Sequence, residues 1–249
     1  MAAPVFFIDP GSAPDSEGIV CVTGEEARHA TQVMRLRVGE RVDLVDGEGR
    51  RLEGTVRSVS RDQLDVEIAR ITEDPAPAPR IIVIQALAKG DRGEQAVAAM
   101  TEVGVDEIVP WSAEHCITRW TGDRAQRGVS KWRATARASA KQSRRSRVPA
   151  VHDVHTLSEL DAWTAQAALV LCLDESAEES LAGIGIPDSG DIVLVVGPEG
   201  GLSDAERAHL VGLGARLARL GPTVLRTSTA GPVGAAVVLA RSPRWGATP

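Results

Sequence analysis

Asp191-Ile192-Val193-Leu194-Val195-Val196-Gly197-Pro198-Glu199-Gly200-Gly201-Leu202-Ser203 carries three signals in succession. The apolar run 192–196 reads as a fully buried strand. It empties into a loop of glycines around Glu199. Ser203 then serves as a helix N-cap, with Glu206 three residues on as its capping-box partner. Strand, glycine-rich loop and helix therefore follow one another directly. In α/β proteins the carboxyl end of a strand is where a small ligand sits, and glycine lets the main chain approach it closely. The loop is neither a P-loop nor a GxGxxG fingerprint. It lacks Lys, and Glu199 would repel a polyphosphate. An uncharged or cationic ligand suits it; the same residues also read as a plain tight turn.

A second constellation follows one helix later. Residues 216–220 form another short strand, closed by Gly221-Pro222. Val224-Leu225-Arg226-Thr227-Ser228-Thr229-Ala230-Gly231 leads into 232–241, a segment of small apolar residues. A helix that is apolar all round is buried, and small residues let neighbouring backbone come close.

GPEGGLSDAE (197–206) and LGPTVLRTSTAG (220–231), ahead of a small-residue terminal helix, resemble the SPOUT methyltransferase superfamily. More closely, they resemble the RsmE-type 16S ribosomal RNA uridine-N3 methyltransferases. The resemblance implies an α/β domain with a parallel sheet and a deep trefoil knot, a topology that chain patterning alone does not reach. It implies S-adenosylmethionine (SAM) as methyl donor and no metal. The cofactor would be held by Leu171, Cys172 and Leu173, by Gly197, Pro198, Glu199, Gly200 and Gly201, and by Leu220, Leu225, Arg226, Thr227, Ser228 and Ala230. Uracil N3 is a weak acid, so its proton must leave before or during attack. A general base or a cation favouring the uracil anion would serve. Arg226 is the catalytic candidate for the cation and Glu199 for an acid–base or cation-facing group. Many members carry Glu where this chain has Ser228, so a mechanism needing that carboxylate cannot operate here. Homodimers are usual in the superfamily.

The 249 residues suffice for two domains. Residues 1–73 read as a small β domain, 74–79 as a linker and 80–249 as the α/β domain. No apolar run approaches the length of a membrane span. The N-terminus has no positive region before its apolar residues, which argues against a signal peptide. Cys21, Cys116 and Cys172 are odd in number and far apart, which fits a reducing cytoplasm rather than a disulfide framework. His152 and His155 lack the further ligands of a zinc site.

In the first domain Thr23 and Glu26 predict a capping box on a helix over 24–34. Alternating segments at 41–45, 52–59 and 64–68 predict antiparallel strands of a small barrel. The resemblance implies that this is a PUA-like RNA-binding barrel, with contacts from Arg28, His29, Arg35 and Arg37. Alternating prolines make 74–79 extended and stiff. Residues 81–87, 92–103 and 105–110 then read as strand, helix and strand, which gives a parallel sheet. KGDRGEQAVAAMTEVGVDEIVPW (89–111) resembles the family's segment, so Lys89 is a further RNA-contact candidate.

The net charge is -6, yet residues 119–147 hold ten basic residues and one acid. Such a concentrated segment matters more than the sum. Arg133, Arg137, Lys141 and Arg145 recur at four-residue spacing, along one helix face that could track a phosphate backbone. Trp120 and Trp132 read either as stacking surfaces or as packing residues. By resemblance, Gln142, Arg144 and Arg147 lie on the RNA side of the active site. The expected partner is 16S ribosomal RNA of the small subunit. Two other readings stay open: a related SPOUT enzyme acting on a ribose 2′-hydroxyl or another base, and a non-catalytic RNA-binding assembly factor. Barrel-then-knot order argues against the first, and the intact loop motifs against the second.

Overall fold

The computed structural model describes residues 3–246. They divide into two units: the chain up to Ala76 together with Ala140–Val148, and Pro77–Ser139 together with the chain from Pro149 on.

The first unit is built on a sheet of β1 (Val5–Phe7), β2 (Ile19–Thr23), β3 (Arg41–Val45), β4 (Arg50–Val59) and β5 (Gln63–Glu73), in the spatial order β1-β3-β4-β5-β2. The period-two alternation works as expected: Val42, Leu44, Leu52, Leu64 and Val66 are fully buried on one face. The expected antiparallel pairings hold for β2 to β5, but β1 joins β3 in parallel, so the sheet is mixed. At Gly54, where the β4–β5 register shifts, a Cβ would lie 2.6 Å from the Glu67 carbonyl oxygen. Only glycine permits that bulge.

The helix expected over 24–34 is instead α1 (Gly24–Arg28) followed by a π-helical turn, His29–Val33. The Thr23 capping box does not form, although Thr23 has the extended backbone of an N-cap. Glu26 is drawn elsewhere: its Oε2 accepts a hydrogen bond from Lys141 Nζ at 2.6 Å. There both partners are ionised, so attraction between opposite charges adds to the hydrogen bond.

The second unit carries a six-stranded, all-parallel sheet. Its strands are β6 (Arg80–Ala86), β7 (Glu107–Trp111), β8 (Ala150–Val151), β9 (Leu169–Leu173), β10 (Asp191–Val196) and β11 (Arg216–Ala218), in the order β11-β9-β10-β6-β7-β8. The helices are α2 (Arg92–Val103), α3 (Asp123–Gln142), α4 (Asp161–Thr164), α5 (Asp204–Gly212), α6 (Thr227–Ala240) and α7 (Pro243–Gly246). β6 and β10 lie at the centre, which explains their unbroken apolar runs. Gly104 ends α2 with φ 114°, a left-handed cap. Arg145 falls beyond the end of α3, so it does not extend the basic helix face.

α6 departs from expectation in two ways. It begins at Thr227 and runs through Pro232, although proline removes an internal N–H donor. It is also not buried all round. Gly231, Gly234, Ala235, Val238 and Leu239 are buried, while Val233, Ala236 and Val237 are partly exposed and Ala240 is exposed. The glycines explain the close face: a Cβ on Gly234 would lie 2.9 Å from Leu173 Cδ1.

Candidate active site

Leu173 pairs with Val196 and with Ala218, so β9, β10 and β11 end level with one another. The loops that follow emerge on one edge of the sheet. There they enclose a cavity of about 280 Å³. This lies just below the usual range for small-molecule sites, about 300–1,000 Å³.

The cavity brings together most of the expected cofactor residues: Leu173, Gly197, Pro198, Glu199, Gly201, Leu220, Leu225, Arg226, Thr227 and Ala230 line it. Leu171, Cys172, Gly200 and Ser228 do not. Leu171 and Cys172 are fully buried within β9, and a Cβ on Gly200 would face His115 at 2.9 Å. Ser228, where the resemblance leads one to expect Glu, stands outside the lining.

Asp174, Glu175, Arg219, Thr223 and Val224 also line the cavity, as do the apolar side chains of Val196, Leu202 and Ala218. Motif reading missed them, yet Asp174 directly follows a strand of the parallel sheet, the position where such sites form. Its carboxylate is almost wholly buried. It pairs with Arg207 at 2.9 Å and accepts hydrogen bonds from the Ser176 N–H and hydroxyl. Burial first, and then the Asp174 charge, push the neighbouring Cys172 thiol up to about 12.

Contacts from behind hold the two motif loops. Trp111 Nε1 donates to the Val196 carbonyl at 3.0 Å, just before Gly197. The Ser203–Glu206 capping box forms as expected, with Ser203 N donating to Glu206 Oε2 at 2.9 Å. The other oxygen of Glu206 accepts the Glu114 N–H at 2.7 Å. His115 Nδ1 lies 3.2 and 3.1 Å from the carbonyls of Gly200 and Gly201. Buried Gln85 donates to the Thr227 carbonyl at 3.2 Å and so fixes the start of α6. Arg226, the N-cap of that helix, is exposed. Glu199 is approached by the Lys89 N–H at 3.3 Å and by Arg92 at 3.5 Å.

The expected RNA-contact residues fall into two groups. Arg28, Arg35, Arg37, Lys89, Arg137, Gln142 and Arg144 are exposed. The others hold internal contacts. Arg133 donates to the Val151 carbonyl and pairs with Asp153. Lys141 is bound to Glu26, lies 3.1 Å from His29 Nδ1, and sits over the Phe6 ring. Arg147 crosses Gly49 and donates to the Asp74 carbonyl at 2.6 Å. Among the described residues no group of three or more His, Cys, Asp or Glu is arranged to hold a metal ion.

A parallel sheet with a glycine-loop cavity at its carboxyl edge, preceded in the chain by a small mixed sheet, is the SPOUT class of RNA methyltransferase. An RNA methyltransferase domain family matches residues 74–239, and an RNA methyltransferase PUA domain family matches residues 22–69. The chain is 39% identical over 252 residues to a ribosomal RNA small subunit methyltransferase E of Mycobacterium bovis, covering 100% of this chain and 95% of that one. The Bacillus subtilis protein of the same name is 29% identical, with 84% and 85% covered. A solved ribosomal RNA small subunit methyltransferase E from Neisseria gonorrhoeae, bound to S-adenosyl methionine, superposes with a TM-score of 0.82 at 28% identity over 96% of this chain and 97% of that one. The chain belongs to the ribosomal RNA small subunit methyltransferase E family.

Proposed function

We propose that the chain is a SAM-dependent methyltransferase that modifies N3 of a uridine in the 16S ribosomal RNA of the small subunit. One observation carries the reading: both family motifs, separated by α5 and β11, line one cavity at the carboxyl edge of the sheet. The cavity suits the cofactor. Val196, Leu202, Ala218 and Leu225 offer apolar walls for an adenine ring. Glu175 and Glu199 suit a cationic sulfonium.

Bound there, SAM supplies an electrophilic methyl group. The chain's own residues must hold the uracil in line, exclude water and see N3 deprotonated. Arg226 is assigned to offset the charge of the uracil anion. Glu199 is assigned to receive the N3 proton, its carboxylate kept at the rim by the Lys89 N–H and Arg92. Arg28, Arg35, Arg37, Lys89, Arg137, Gln142 and Arg144 are assigned to RNA contact. Residues 1–73 are assigned to the PUA-like RNA-binding domain, 74–79 to the linker, and 80–249 to the SPOUT domain with its knot, although Ala140–Val148 groups with the first unit. The protein acts as a homodimer, supported by the incompletely covered stripe Val233, Ala236, Val237 and Ala240 on α6. It works in the cytoplasm, a reading supported by three free cysteines; among the described residues no helix is long and apolar enough to cross a membrane.

The test is methyl transfer from labelled SAM to small subunits lacking the modification, followed by nucleoside analysis. The expected product is 3-methyluridine. A different methylated nucleoside overturns the N3 assignment, and absent transfer together with absent SAM binding by calorimetry establishes the non-catalytic reading.

A further inference from the structure

A second cavity, of about 290 Å³, lies in the same unit between the loop after β6, the first turn of α2, and α3. Trp120 forms one wall and meets Trp132 edge to face, with ring centroids 5.2 Å apart. Both rings are seated on glycines. A Cβ on Gly128 would lie 2.6 Å from Trp120, and one on Gly93 would lie 2.8 Å from Trp132. Trp132 is buried, while Trp120 stays partly exposed. The walls are tied in place: Thr118 Oγ1 donates to the Ala88 carbonyl at 3.1 Å, and Arg119 donates to the carbonyls of Ala113 and Glu114, at 2.6 Å each.

The rim is cationic. Arg124, Arg127 and Lys131 follow one another at three- and four-residue spacing on α3, so they share a face. Lys131 pairs with Glu94 at 2.8 Å, which neutralises the one carboxylate in the lining. Arg124 and Arg127 are exposed, and among the described residues neither guanidinium has a hydrogen-bond or ion-pair partner. This is a different stripe from the one that spacing alone predicts. In that stripe Arg133 and Lys141 hold internal acids, and Arg145 lies off the helix.

The two cavities share one loop. Ala88 and Gly90 line the second cavity, while the intervening Lys89 N–H and the following Arg92 reach Glu199 on the first. An aromatic wall beside unpaired arginines is the chemistry of a single-stranded nucleotide, whose base stacks and whose phosphates are neutralised. We propose that this cavity is a nucleotide subsite: a base flanking the target uridine stacks on Trp120, and the adjoining phosphates meet Arg124 and Arg127. The assignment rests on the chain acting on RNA.

The experiment compares wild type with Arg124→Ala/Arg127→Ala and with Trp120→Leu in the full chain. It measures SAM affinity by calorimetry, methylation kinetics on unmodified small subunits, and affinity for a single-stranded oligoribonucleotide spanning the target at several salt concentrations. Both variants are expected to raise KM on the order of tenfold, with kcat and SAM affinity unchanged. The double arginine variant should also flatten the slope of log affinity against log salt by about 1.4. It alters only exposed side chains, so it decides the matter even if Trp120→Leu fails to fold. Unchanged KM and unchanged oligoribonucleotide affinity in the arginine variant would overturn the subsite while leaving the methyltransferase reading intact. Loss of subunit affinity with full oligoribonucleotide affinity would indicate a protein contact and also overturn it. A wild-type protein that neither transfers methyl nor binds RNA refutes the underlying reading, and the subsite with it.

Discussion

His115 supports the glycine loop from outside the cavity. Carbonyl oxygens accept hydrogen bonds, so its Nδ1, close to those of Gly200 and Gly201, must carry the proton. The side chain is exposed and water can replace it, so His115→Ala should weaken SAM binding only about fivefold, the scale of one net hydrogen bond. Calorimetry checks this, and an unchanged affinity would show that the loop holds itself. The cysteines give a pH-dependent prediction. Cys116 and Cys172 are buried, and burial raises both thiols above their ordinary value. Cys21 is exposed, and is raised by partial burial and then by the hydrogen bond and charge of Asp65. A raised thiol holds less of the reactive thiolate at a given pH. Native protein near pH 8 should therefore label slowly and at Cys21 alone, with all three thiols reacting after denaturation. Asp65→Asn removes the carboxylate charge, lowers the Cys21 thiol and should speed that labelling.

The α1 and α5 helices both follow the capping signature, and of these two only α5 uses it. At α5, Ser203 and Glu206 exchange both hydrogen bonds, and Glu206 also holds the Glu114 N–H. Ser203→Ala should cost about 1 kcal/mol. Glu206→Ala should cost more, about 1–3 kcal/mol beyond the cap, because it strips the Glu114 N–H of its partner. At α1 the Thr23 side chain makes no capping bond, so Thr23→Ala should stay within about 0.5 kcal/mol of wild type. Urea denaturation midpoints of the three variants check the order, and a Thr23 effect as large as that of Ser203 would contradict it. α6 makes the related point about faces. Its mean character is apolar throughout, yet the side carrying Gly231 and Gly234 meets the sheet, and the side carrying Val233 and Val237 remains partly open.

For the molecule as a whole, the homodimer proposed on that open stripe makes a testable prediction. In a two-fold dimer each substitution acts twice, because the same patch is used by both copies. Val237→Lys places a charge in such an interface and should convert the dimer to monomer by light scattering, with the fold retained by circular dichroism. A wild-type monomer would remove α6 as the dimer surface.

Local order was legible wherever neighbours along the chain decide the outcome. The apolar runs in β6 and β10, the span of α2 with its Gly104 stop, and the α5 capping box depend on periodicity and on contacts within a few residues. The glycine loop at the end of β10, which lines the first cavity, was legible as a strand-to-helix loop for the same reason. Its partners were named by family resemblance, since periodicity does not show that the loop after β11 returns to the same sheet edge. Three outcomes belong to the tertiary structure. Glu26 abandons its cap for Lys141, 115 residues on. Asp174 joins the cavity because β9, β10 and β11 end level. The free basic face of α3 is that of Arg124 and Arg127, because acids from distant segments occupy Arg133 and Lys141. In each case a charged side chain takes the best partner within a few ångströms, and only the folded chain determines which groups those are.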